Sequence, residues 1–200
     1  MNRPNALSDA IEACRLCAPR FAATATAHEP RPVPWFRASA RLLIAGQAPG
    51  ARVQAIGEPF RDASGDRLRL WTGLSEAEFY DRERVAIVPM AFCFPGYDAK
   101  GSDLPPPPIC ARTWHAQVMH TLCRRELTLV VGGAAQRWHL GTRSVTETVA
   151  DWRAHLAQSR AFPLPHPSWR TTGWLKRHPW FETELLPALR AEVRAVMEMT

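Results

Sequence analysis

Four short apolar runs, set between longer stretches in which apolar residues recur at every third or fourth position, give this chain its rhythm. Arg41 to Gly46, Val85 to Met90, Leu127 to Gly132 and Ala161 to Leu164 are nearly continuous in apolar residues, the pattern of strands buried on both faces. Leu7 to Cys17, Gly65 to Trp71, Ala111 to Cys123, Ala134 to Leu140, Val145 to Ala157 and Phe181 to Val196 carry the step of amphipathic helices. Strands alternating with helices predict an α/β fold with three α/β/α layers, a central, mostly parallel four-stranded sheet, and ligand loops at the carboxyl ends of its strands. Proline clusters at Pro30 to Pro34 and Pro105 to Pro108 can continue neither a helix nor a central strand, so both are expected as ordered loops.

Size and charge narrow this picture. A chain of 200 residues that is 46% hydrophobic fits one domain spanning 1–200, able to bury a full core without disulfides. Its net charge of +6 and pI near 9.5 suit a polyanionic partner, although a solvated basic surface would read the same way. No apolar stretch approaches the ~20 residues that a membrane span requires. The N-terminus, with Asp9 and Glu12 among Ala and Leu, lacks a signal-peptide layout, and a soluble cytoplasmic protein is expected. Five cysteines in such a compartment serve as metal ligands or buried apolar groups rather than as disulfides.

The candidate chemistry lies in loops. Gly46-Gln47-Ala48-Pro49-Gly50 follows the first strand; its glycines let a ligand approach the backbone and Pro49 stiffens the turn. His166-Pro167-Ser168 follows the last strand, where an imidazole could stabilise developing negative charge. Phe60, in Gly57-Glu58-Pro59-Phe60, offers a flat face for stacking or a side chain for the core. Ser168, Trp169, Arg170, Trp174, Lys176 and Arg177 interleave aromatic, basic and small residues, as a loop that wedges into a base stack and meets phosphates would, or as a loop packed on the domain would. Cys14 and Cys17 stand one helical turn apart, and Cys93 and Cys110 bracket a proline-rich excursion with sixteen residues between them. Four thiolates of this kind can hold a tetrahedral zinc or an iron–sulfur cluster. Cys123 has no partner in this scheme and is expected as a buried apolar side chain.

The glycine loop, the Pro59-Phe60 pair followed by the second glycine turn at Gly65, the His-Pro-Ser segment and the cysteine arrangement together resemble the uracil-DNA glycosylase superfamily. They are most similar to its family 4, the iron–sulfur uracil-DNA glycosylases. The resemblance implies a monofunctional DNA glycosylase of base-excision repair that flips a deaminated base, uracil first, and hydrolyses its N-glycosidic bond to leave an abasic site. By the same resemblance Gln47 positions the water, His166 stabilises the departing base, and Gly46, Ala48, Pro49, Gly50 and Phe60 hold that base. Cys14, Cys17, Cys93 and Cys110 would ligate a [4Fe-4S] cluster, with zinc as the alternative occupant. The implied partner is DNA carrying a damaged base, single- or double-stranded, bound by a monomer.

Two positions depart from the family 4 pattern. Gln47 stands where family 4 carries a glutamate, and an amide can orient a water but cannot take its proton. Pro89 stands where family 4 carries an asparagine that reads uracil. Asp62 is the candidate to supply the missing charge, while Asp66 suits the first turn of the following helix. The departures keep other readings open: a glycosylase for xanthine or hypoxanthine, a non-catalytic binder of damaged or abasic DNA, or a metal-stapled domain acting on a small nucleotide.

Overall fold

The four apolar runs pair into one sheet in the computed structural model, which describes residues 6–142 and 144–198. The strands are β1 (Leu42–Gly46), β2 (Val85–Pro89), β3 (Leu127–Val131) and β4 (Ala161–Leu164), all parallel and ordered β2-β1-β3-β4. Before the sheet come α1 (Ala6–Glu12) and α2 (Ala18–Ala22); between β1 and β2 lie α3 (Ala51–Ile56), α4 (Ala63–Thr72) and α5 (Glu76–Tyr80). The next crossover carries α6 (Pro108–Thr121), and the last carries α7 (Gly132–Leu140), α8 (Val145–Ala150) and α9 (Trp152–Ser159). After β4 come a 3-10 turn (Trp169–Thr171), α10 (Thr172–Arg177), a π-helical turn (Phe181–Leu185) and α11 (Leu186–Glu198).

The period of two along each strand makes the layers. Leu42, Ile44, Val85, Ile87, Leu127 and Leu129 pack on one face against Leu68 and Trp71 of α4 and Leu189 and Val193 of α11. Leu43, Ala86 and Val88 pack on the other against Ile11 of α1 and Val118 of α6. Each fully buried Leu or Ile contributes roughly 1.5–3 kcal/mol of transfer free energy, so a sheet covered on both faces supports the fold without covalent staples. Successive strands are added first to one side of β1 and then to the other, so the chain reverses direction between β1 and β3. Loops leaving the carboxyl ends of these two strands part there and open a crevice.

The helices differ from expectation at identifiable breaks. The run Leu7 to Cys17 is helical only as far as Glu12; α2 begins beyond it, with Pro19 in its first turn, and Cys14 and Cys17 lie in the turns between α1 and α2 rather than within one helix. The stretch Val145 to Ala157 is divided at Asp151 into α8 and α9. Phe181 to Val196 begins as a π-helical turn, for Pro187 has no N–H to donate into the regular ladder. The short helices α3 and α5 were not legible in the periodicity, and the segment read as a loop after Ser168 holds the 3-10 turn and α10. Cys123 is exposed rather than buried: Leu122 fills the core at the end of α6 and turns its neighbour outward.

Candidate active site

The loop after β1 runs along the crevice, and Gly46, Gln47, Ala48, Pro49 and Gly50 line one cleft together with Phe60, Asp62, Pro89 and His166. The separated segments thus meet at the strand ends because β1, β2 and β4 all run in the same direction. Val131 closes part of the floor, and Ser64 and Asp103 add polar groups to the wall.

Phe60 is held in an unusual way. Its φ of 57° is left-handed, a conformation that costs a bulky residue about 1–3 kcal/mol and persists only where the surroundings impose it. Tyr80 Oη donates to the Phe60 carbonyl at 3.1 Å, and the ring meets Phe79 edge-on at 6.1 Å between centroids. Gly65 presses against the same peptide so closely that a Cβ built there would stand 1.8 Å from the Phe60 oxygen. The partly exposed ring lies over Gly46, its Cζ 3.6 Å from where a Cβ on that glycine would be.

Asp62 begins α4. Its Oδ1 accepts from the backbone N–H of Ser64 at 2.9 Å, that of Gly65 at 3.1 Å and the Ser64 hydroxyl at 2.5 Å, a helix cap whose carboxylate also faces the cleft. Asp66 sits in the first turn of the same helix and pairs with Arg69 on the surface.

His166 follows β4 and packs beside Gly132, which at φ 80° would bring a Cβ within 3.5 Å of the His166 Cβ. Burial pushes the imidazole below its ordinary value, against the opposing pull of Asp62 and Asp103. The ring is therefore neutral at neutral pH and able to donate an N–H hydrogen bond. Thr171 Oγ1 donates to the His166 carbonyl at 2.5 Å, and Arg67 of α4 donates to the Ser168 carbonyl at 2.7 Å, which ties the His-Pro-Ser segment to the capped helix.

A second groove adjoins the cleft and is lined by Ser168, Trp169, Arg170 and Trp174. The two tryptophans differ in kind. Trp169 is 76% exposed with the Arg170 guanidinium 5.7 Å from its ring centre. Trp174 stacks on His178 at 4.3 Å, meets Phe181 edge-on and donates its indole N–H to Thr146 at 2.8 Å, so it packs this segment onto the domain. Lys176 and Arg177 are exposed in the last turn of α10.

Cys14, Cys17, Cys93 and Cys110 line a single narrow cavity with apolar neighbours such as Ile11, Phe21 and Trp114. Burial pushes the Cys93 thiol up to about 12 and the Cys110 thiol to about 11, and the other thiols of the set add to the rise. The Phe92 backbone N–H donates to Cys110 Sγ at 3.5 Å, and the Arg31 backbone bonds Cys93. Among the described residues no set of three or more His, Cys, Asp and Glu stands at single-ion spacing. The donor chemistry, sulfur alone with backbone N–H groups on two of the four thiols, fits a thiolate-held cluster.

Sequence reasoning passed over Asp103. It lies in a loop without periodicity, and its place becomes visible only once the hairpin that carries it is folded. Tyr97 and Asp103 form an antiparallel bridge, and Asp98 Oδ1 fastens the turn through the N–H groups of Lys100 and Ser102 at 2.8 and 2.9 Å.

Among the described residues no helix is long and apolar enough to cross a membrane. Residues 33–190, from the segment before β1 into the start of α11, match the family model described as the uracil DNA glycosylase superfamily. The match takes in the whole sheet, the cleft and the groove, and the chain belongs to the uracil DNA glycosylase superfamily.

Proposed function

We propose that the protein is a monofunctional DNA glycosylase that flips a deaminated base, uracil first, into the cleft and hydrolyses its N-glycosidic bond. Members of the superfamily are DNA glycosylases and bind DNA. The observation that carries the finer reading is the meeting of the Gly46 to Gly50 loop, Phe60 and His166 in one cleft that opens onto the groove of Trp169 and Arg170. A flipped base would stack on Phe60 while backbone groups of the glycine loop meet its edge. The neutral His166 would donate a hydrogen bond to the base as negative charge develops on it, and Gln47 would orient the attacking water. Trp169 would fill the gap left in the base stack, and Arg170, Lys176 and Arg177 would meet phosphates.

Cys14, Cys17, Cys93 and Cys110 would hold a [4Fe-4S] cluster, with zinc as the competitor. Once bound, it would tie the N-terminal turns and the excursion to the sheet. The protein would act as a cytoplasmic, single-domain monomer.

Pro89 supports a second reading of the substrate. It lines the cleft without a side-chain amide, and its carbonyl is engaged from behind by His115 Nε2 at 2.9 Å. Recognition then falls to Ser64 and the backbone groups of the glycine loop, a set that also suits hypoxanthine or xanthine. The test is base release from single- and double-stranded oligonucleotides carrying one uracil, xanthine or hypoxanthine, followed by alkaline cleavage at the abasic site. His166→Ala is expected to slow release about 100- to 1,000-fold, the usual cost of removing such a donor. Binding of damaged or abasic DNA with no release of any base would instead favour a non-catalytic binder. Analysis for iron, inorganic sulfide and zinc separates the two metal occupants.

A further inference from the structure

Three residues, Gln47, Asp103 and His166, line both the cleft and the groove. They mark the neck between the two spaces. On the glycosylase reading, the base lies on the cleft side of this neck and the DNA backbone on the groove side, so the scissile bond crosses it. His166 faces the departing base, which leaves Gln47 and Asp103 to meet the water.

We propose that Asp103 is the catalytic carboxylate of this site and accepts the proton of the water that attacks the sugar. Gln47 carries an amide, which orients a water but has no basic atom to receive its proton. Asp62, the other acid in the cleft, has three donors on its Oδ1 at the N-terminus of α4 and is committed to starting that helix. Among the described residues no hydrogen-bond donor is engaged with the Asp103 carboxylate, which is free to take up a water. Its negative charge reaches His166, where it opposes the effect of burial. The bridged and Asx-fastened hairpin holds it at the neck.

The step balances. The water oxygen bonds to C1′ as the C1′–N bond breaks, and the electron pair of that bond leaves with the base, which His166 stabilises by hydrogen bonding. The water proton passes to the Asp103 carboxylate and then to solvent, and the base anion takes a proton from solvent. The same carboxylate stabilises the oxocarbenium character of the sugar.

This assignment rests on the glycosylase reading, and the experiment separates the two. Single-turnover release of uracil, hypoxanthine and xanthine is measured for the wild type, Asp103→Asn and Asp103→Ala, with and without added formate. Binding of an oligonucleotide carrying a tetrahydrofuran abasic analogue is followed in parallel. Asp103→Asn is expected to slow release about 100-fold or more, the range for a lost general base, while analogue binding is retained. Formate is expected to restore part of the rate in Asp103→Ala, since a small carboxylate can occupy the space vacated. Undiminished release by Asp103→Asn overturns the assignment and leaves the glycosylase standing. Slow release with weakened binding and no formate rescue makes Asp103 a structural residue and also overturns it. No release of any base by the wild type overturns both readings.

Discussion

Phe60 and Gly65 act as one unit. The left-handed backbone of Phe60 is stable only because Tyr80 holds its carbonyl and Gly65 leaves room for it. Gly65→Ala places a Cβ inside the Phe60 peptide, so either α4 or Phe60 must move. The expected result is a loss of about 1–3 kcal/mol in urea-induced unfolding, the cost of overpacking a tight contact, together with slower base release. Phe60→Leu keeps an apolar side chain over Gly46 but removes the flat face. Because base stacking is worth roughly 1–3 kcal/mol, single-turnover release is expected to fall about 5- to 150-fold, with wild-type-like unfolding. The sequence pointed to Phe60 and to a glycine turn after it, since both sit in a recognisable order. Neither the strain at Phe60 nor the contact that imposes it is encoded in a local pattern, and Asp103 was invisible for the same reason: its neighbours at the neck come from loops at residues 47 and 166.

At the scale of elements, the strands were legible because continuous burial leaves an unbroken apolar run, and each expected strand lies within one residue of its observed ends. Helix interruptions were less so, since Asp151 breaks a run whose apolar spacing continues across it. The start of α4 gives a direct test. Asp62 satisfies two of the N–H groups that a helix leaves unpaired, so Asp62→Ala is expected to lower stability by about 1–2 kcal/mol, whereas Asp62→Asn retains an acceptor and most of that stability. Urea titration of the two variants reads the difference. The excursion between Cys93 and Cys110 gives another. If a cluster ties it down, chelation or the Cys93→Ala substitution should accelerate amide exchange across residues 93–110 while β1 and β3, in the centre of the sheet, keep their protection. Unchanged exchange in that segment would show that the hairpin holds itself.

The whole molecule carries two charge signatures. His115, His139 and His166 are all pushed down by burial, His139 to about 4, and its Nε2 has no hydrogen-bond partner among the described residues. A folded state that resists protonation binds fewer protons than the unfolded chain, so stability is whole above pH 6.5 and falls as the pH drops toward 4. For His139 alone the fall amounts to about 3 kcal/mol, and in unfolding measured at pH 7 and pH 4.5 the variant His139→Gln should show a smaller loss than the wild type. The second signature is the net charge of +6, which by itself does not say where a polyanion would lie. Arg170 lines the groove, and the exposed cations Lys176 and Arg177 follow it in the same short segment after His166. If they meet phosphates, replacing each by Ala should weaken binding of every oligonucleotide alike and reduce the slope of log affinity against log salt by about 1. Trp169 is uncharged, so Trp169→Ala should weaken binding to lesion-bearing duplex and leave that slope unchanged. A Trp169 variant that altered the slope, or cation variants that did not, would move the DNA path away from the groove and separate the exposed tryptophan from the base stack.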